Sequence, residues 1–274
     1  MKNNEQSILN SNVLCEIFCD RNRTTVLQTG YVAYNKRLAK TLDKISQKRE
    51  NETFDNEGIY SQIINSLKDS FNINLYLKDF KNYEVLETDP FEVYLPSVDK
   101  QLLVPTSPSG GPILAAIMAV FDQFSVNANS YKNNPINFWQ SVVECFKHAF
   151  GFSLGLGDPN FEPKVLNDIK KYFKFESLTD VKHEIKFNET HEVDFYKVNN
   201  FTIDNGVTNV GSHISVLGLE GESVSITSSI GSSFGSIIAC NSTGIILNDA
   251  LKMFSEIGKL FDMLQLNQFC KIKK

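Results

Sequence analysis

Gly211-Ser-His-Ile-Ser-Val-Leu-Gly-Leu-Glu-Gly-Glu-Ser-Val-Ser-Ile-Thr-Ser-Ser-Ile-Gly-Ser-Ser-Phe-Gly-Ser236 is the stretch on which the fold turns. Its two halves, Ser212 to Gly218 and Ser223 to Ser229, are runs of small and β-branched residues that suit a pleated surface. Glu220-Gly221-Glu222 supplies a turn between them, so the spacing predicts a β-hairpin. Gly244 to Leu247 reads as a third short strand. Asn248 to Leu264 reads as an amphipathic helix with Leu251, Phe254, Ile257, Leu260 and Leu264 inward.

Upstream of the hairpin, helical spacing dominates. Leu38, Leu42 and Ile45, then Ile59, Ile63, Ile64, Leu67 and Phe71, recur on either side of a polar break from Gln47 to Asn56. Glu84 to Leu95 and Lys100 to Val104 read as two short strands. Thr106-Ser-Pro-Ser-Gly-Gly-Pro112 is dense in turn formers and leads into a helix from Ile113 to about Phe124, with Pro112 at the favoured first position. Pro135 to Phe152 reads as a helix with Phe138, Val142, Cys145, Phe146 and Ala149 on one face, and Val165 to Phe173 as a short one. Glu176 to Val210 is polar and weakly patterned and reads as a linker. Helices first and a hairpin-led sheet afterwards make a layered α+β architecture.

Composition narrows the function. With 274 residues, 42 % of them hydrophobic and 22 % charged, the chain can bury a core without relying on disulfides or metals. Lys+Arg 27 against Asp+Glu 32 leaves a net charge of -5, which gives no electrostatic reason to bind nucleic acid or an anionic membrane. The apolar run Pro112 to Phe121 has about half the length that spans a bilayer and reads as a core helix. Met1 to Asn12 holds no apolar run of the signal-peptide kind, so the sequence as written is expected to be cytoplasmic. Five Asn-x-Ser/Thr triplets are about what so much Asn, Ser and Thr produces without selection, and argue nothing.

Individual residues carry little chemistry by themselves. Cys145, Cys240 and Cys270 read as buried thiols, and Cys15 and Cys19 as a local bridge should the chain meet an oxidising compartment. His148, His183, His191 and His213 are scattered and read as ordinary surface or hydrogen-bonded core histidines, with no metal site. Glu220 and Glu222 read as a solvated turn. There is no P-loop, dinucleotide fingerprint, Gly-x-Ser-x-Gly or His-Glu-x-x-His, and no cofactor is expected.

Gly211 to Ser236, followed by Gly244-Ile-Ile-Leu-Asn-Asp-Ala-Leu-Lys-Met-Phe-Ser255, nevertheless closely resembles the start of the small subunit of γ-glutamyltransferases, also called γ-glutamyl transpeptidases or glutathione hydrolases. Val13-Leu-Cys-Glu-Ile-Phe-Cys19, Asp79-Phe-Lys-Asn-Tyr-Glu-Val85, Val104 to Leu114 and Leu156-Gly-Asp-Pro-Asn-Phe161 resemble further family segments in the same order. The resemblance implies an N-terminal-nucleophile hydrolase-like fold, αββα in layers and incomplete at both ends, acting on γ-glutamyl compounds such as glutathione. It divides the chain into residues 1–175, like the later half of the large subunit; a linker, 176–210, ending near the family's cleavage site; and 211–274, like the start of the small subunit. The family's carboxylate-binding arginine, membrane anchor, paired serines and oxyanion-hole glycines would all fall outside it. Family members are extracellular or anchored at the plasma membrane, so the resemblance sets that location against the cytoplasmic reading.

The same alignment empties the catalytic position. The family's nucleophilic threonine first cuts the chain and then attacks the γ-glutamyl amide, with its freed amine as base; here Gly211 stands in its place, without any side-chain oxygen. The supporting threonine falls on Ser229, which keeps a hydroxyl. The residues that hold the substrate ammonium fall on Gly231, Ala250 and Met253, which carry no carboxylate or amide. Ser212 and Thr208 are the nearby hydroxyls that could substitute, although each absent oxyanion donor would add roughly 3 kcal/mol to the barrier. The resemblance thus implies an inactive family member. The alternatives are an active hydrolase or transferase using Ser212 or Thr208, and a non-catalytic module that binds a homologous or other protein.

Overall fold

The computed structural model describes residues 1–47, 58–125, 128–196 and 210–253. In chain order its helices are α1 (Glu5–Asn10), α2 (Asn12–Phe18), α3 (Lys36–Gln47), α4 (Ile59–Phe71), α5 (Leu77–Lys81), α6 (Gly111–Asp122), α7 (Ala128–Asn133), α8 (Pro135–Ser153), α9 (Lys164–Tyr172) and α10 (Phe175–Glu184). The strands are β1 (Phe91–Leu95), β2 (Lys100–Val104), β3 (Val210–Leu217) and β4 (Ser223–Gly231), paired antiparallel as β1-β2 and β3-β4. The chain is therefore α+β. Its described residues fall into two units, one of residues 1–85 with 210–253 and one of 86–196.

In the first unit, the Ser11 side chain accepts a hydrogen bond from the Leu14 amide and starts α2. Ile8, Val13, Leu14 and Ile17 then bury together with Val26 and Ala239, and Cys15 is bonded to Cys19. Ile59, Ile63 and Leu67, spaced four apart on α4, close over Cys240, a buried free thiol. Helix α3 departs from its expected packing: Leu42 and Ile45 are exposed, and the buried residue is Thr41, whose hydroxyl donates to the Thr243 carbonyl at 2.9 Å. Beside it Arg37 reaches the Asn241 carbonyl at 2.7 Å and Glu16 at 2.7 Å. The carbonyls of the 241–243 loop orient this helix, in place of an apolar stripe.

The hairpin β3-β4 forms as its sequence predicts, closed by a bond from the Gly218 amide to the Glu222 carbonyl at 2.7 Å. The expected third strand, Gly244 to Leu247, is absent. Residues 236–247 instead fold back on themselves, with one isolated bridge between Ala239 and Ile246 and the Cys240 amide donating to the Ile245 carbonyl. Of the helix expected over 248–264, the described residues show the 3-10 turn Ala250–Met253; residues beyond it lie outside the described ones, as do Cys270 and most of the 47–56 break.

The second unit packs β1-β2 on α6. Val93 and Leu95 alternate inward with exposed Tyr94 and meet Ala115, Ala119 and Val120. The strand starts only at Phe91, not at Glu84, because Pro90 has no amide hydrogen to continue a ladder. Helices α6, with Pro112 in its first turn, and α8 form where predicted. The stretch read as linker carries α10 and the 3-10 turn Val193–Tyr196, since Leu178, Val181 and Ile185 recur at helical spacing and pack into this core.

The buried face of α8 is more polar than expected. Glu144 is 1 % exposed; Phe146, expected inward, is 45 % exposed. Lys147 and the Thr190 hydroxyl each donate to Glu144 at 2.8 Å, and the Tyr196 hydroxyl donates to its other oxygen. Burial would raise the Glu144 pKa, but the hydrogen bonds from Lys147, Tyr196 and Thr190 outweigh it and hold the carboxyl below its ordinary value of 4.5. Next to it, burial and the Glu144 charge push the Cys145 thiol up to about 12, which makes it inert.

A carboxyl with a lowered folded-state pKa stabilises the chain above its unfolded value, and that contribution is lost as pH falls through the folded value. Glu144→Gln is expected to lower the unfolding free energy at neutral pH by about 2 kcal/mol. Urea titrations should also show a shallower loss of stability on acidification in this variant. Equal acid sensitivity in both proteins would remove Glu144 as the source.

Candidate functional site

The first unit brings together the start of β3, the end of β4 and the turn that follows Asn248. Val210 pairs with Gly231 and Ser212 with Ser228, so Ser229 and Ile230 oppose the single residue Gly211 in a bulge. A Cβ on Gly211 would stand 3.0 Å from the Ser228 carbonyl oxygen and 3.8 Å from Ser229 Oγ. The two positions that the resemblance assigned to nucleophile and supporting hydroxyl are thus neighbours. Only the second bears an oxygen.

Gly231, the next position, is buried and has φ +91°, a conformation that side chains disfavour. Its amide donates to Ser229 Oγ at 2.9 Å. The chain is then held by Asp249, which is 7 % exposed: one carboxylate oxygen accepts from the Ser232 amide at 2.9 Å and the other from the Ser232 hydroxyl at 2.7 Å. The Asp249 amide in turn donates to the Ile230 carbonyl at 3.1 Å. Asn248 Oδ1 accepts from the Ala250 amide at 3.0 Å, which sets the turn that ends at Met253.

Gly211, Ser229, Gly231 and Ala250 are therefore gathered around one loop, with Met253 closing the turn beside it. Ser212 is exposed on β3, and Thr208 lies outside the described residues. Asp249 and Ser232 had no place among the expected site residues. The signal was available: Asp249 is the acidic residue of the segment Gly244 to Met253, directly before Ala250. Its oxygens serve the loop backbone and Ser232, so the local chemistry favours a rigid loop.

The outer part of the hairpin carries a polar row. His213 Nδ1 lies 2.7 Å from the Thr227 hydroxyl, and Nε2 lies 3.0 Å from the hydroxyls of Ser215 and Ser225. All four are exposed. Among the described residues, no group of three or more His, Cys, Asp or Glu could hold a metal ion, and no helix is long and apolar enough to cross a membrane.

Comparison with known proteins covers the whole of this arrangement. The chain is 29% identical over 255 residues to "Glutathione hydrolase 2" of Arabidopsis thaliana, covering 93% of this chain and 42% of that protein. It is 29% identical over 257 residues to "Scoloptoxin SSD14" of Scolopendra dehaani, covering 93% and 43% respectively. Against the human "Glutathione hydrolase 5 proenzyme" it is 31% identical over 179 residues, 65% of this chain and 30% of that one. The chain thus spans less than half the length of these relatives. The sequence model described as Gamma-glutamyltranspeptidase matches residues 1–269, hairpin and upstream helices alike, and on that match the chain belongs to the gamma-glutamyltranspeptidase family.

Proposed function

We propose that this chain is a gamma-glutamyltranspeptidase-family protein of γ-glutamyl and glutathione metabolism whose own site does not turn over substrate. The observation that carries the reading is Gly211 in the bulge beside Ser229, where a hydroxyl nucleophile is required and no side-chain oxygen exists. Gly231, Ala250 and Met253 support it, because an ammonium head group would find neither a carboxylate nor an amide side chain at those positions. In this reading β3-β4 is a portion of the family's layered sheets. Residues 1–175 and 211–274 correspond to parts of its two subunits, without a cut between them. The bonded pair Cys15–Cys19 favours the extracellular setting of the family over the cytoplasm.

A second reading, a binding module, is favoured by the exposure of the hairpin. Ile214, Val216, Val224 and Ile226 lie on one face at 55–57 % exposure, and no further strand pairs with either edge among the described residues. Such an edge and face suit β-strand addition by a homologous chain, this one included.

For the first reading, the full chain at high concentration should release no 4-nitroaniline from γ-glutamyl-4-nitroanilide and should show a single intact mass. A cut near residue 211, or release abolished by Ser212→Ala, would overturn it. Gly211→Thr requires the Ser228 carbonyl to give by a few tenths of an ångström, and with Gly231 and Ala250 unchanged it is expected to remain without turnover. For the second reading, sedimentation velocity should show concentration-dependent association that Ile226→Lys removes. A monomeric profile throughout the range would reject it.

A further inference from the structure

In the unit of residues 86–196, helices α8, α9 and α10 and the turn Val193–Tyr196 surround a cavity of about 540 Å³. That volume is within the range of small-molecule sites. None of its lining residues belongs to the loop around Gly211, and the reading of that loop assigns them no role.

The cavity has an aromatic floor. Phe152 stacks on Tyr172 with ring centroids 4.0 Å apart and planes 24° from parallel. The Tyr196 ring stands edge-on to His148 at 5.0 Å, so the surface offered is a set of π faces and edges. The Tyr172 hydroxyl is buried beside it without a hydrogen-bond partner.

The rim is acidic. Asp180 and Glu184, one turn apart on α10, both line the opening and both are exposed. Asp168 adds a third carboxylate, which is 3.9 Å from the Lys164 ammonium, while Lys171 is the cation among the lining residues. Glu184 also stands 3.7 Å from His148 Nδ1. Carboxylates and aromatic rings lining one cavity attract a cation twice over, by charge and by the ring quadrupoles, and the carboxylates repel an anion.

We propose that this cavity binds a small organic ammonium ion carried on a flat apolar body, with the ammonium between Asp180 and Glu184 and the body against Phe152 and Tyr172. The chemistry is that of an arylalkyl amine. Neutral analogues keep the stacking and lose the charge; anionic ones meet the rim.

The test uses the whole 274-residue chain and three probes of one shape: tryptamine, tryptophol and indole-3-propionate, titrated by calorimetry at low salt. Tryptamine is expected to bind with a Kd on the order of 0.1 mM, tryptophol about tenfold more weakly, and indole-3-propionate not measurably. Asp180→Asn combined with Glu184→Gln should weaken tryptamine about tenfold or more and reduce its salt dependence, with Asp168 still in place. Glu87→Gln, an exposed carboxylate outside the lining, should leave it unchanged. Circular dichroism matching the parent confirms that each variant folds, and Phe152→Leu gives a second, uncharged probe of the floor. Absence of tryptamine binding, equal affinity for the three probes, or a double variant that binds like the parent would each overturn the proposal.

Discussion

A carboxylate taken out of water must be met by donors, and in this chain that demand does what apolar stripes do in many others. Asp249 is the case on which the loop around Gly231 depends. Its two oxygens accept both donors of Ser232, and its own amide returns a bond to Ile230. The end of β4 and the turn after Asn248 are thereby one object. Removing the carboxylate would leave the Ser232 amide and hydroxyl unpaired in a half-buried loop.

The same principle recurs in both units. Thr41 meets the Thr243 carbonyl and thereby orients α3, and Ser107 donates to the Gly157 carbonyl at 2.6 Å, which joins two separate family-like segments. Glu144 gathers Lys147, Thr190 and Tyr196 and so fixes the chain far along the stretch that looked like a linker. Apart from the Lys147–Glu144 pair, which lies within one turn of α8, each contact spans dozens of residues or more. Those distant contacts could not be read from local periodicity.

Where the fold was legible, the reason is equally local. The alternation in Val93-Tyr94-Leu95, the four-residue spacing of Ile59, Ile63 and Leu67, and the Glu220-Gly221-Glu222 turn each specify geometry within a few residues. Gly244 to Leu247 failed because a β-branched pair next to glycine fits a tight loop as well as a strand, and the bonds of Ser236, Ile238 and Cys240 to Ile245 and Leu247 decide between them. At the candidate site the identities of Gly211, Ser229, Gly231 and Ala250 were legible from resemblance, and the structure adds their nearness. Asp249 was not legible, because its role depends on a partner 17 residues away.

The bulge at Gly211 constrains which residue can stand there. Gly211 is opposed by two residues and has no single mate in the ladder, and one-to-one pairing resumes at Ser212 and runs to Leu217. The space beside Gly211 is nonetheless shared with the ladder, because a Cβ at this position would stand 3.0 Å from the carbonyl oxygen of Ser228, the partner of Ser212. The strand opposite therefore limits what residue 211 can be, and a side chain there is accommodated only where a carbonyl of that strand gives way.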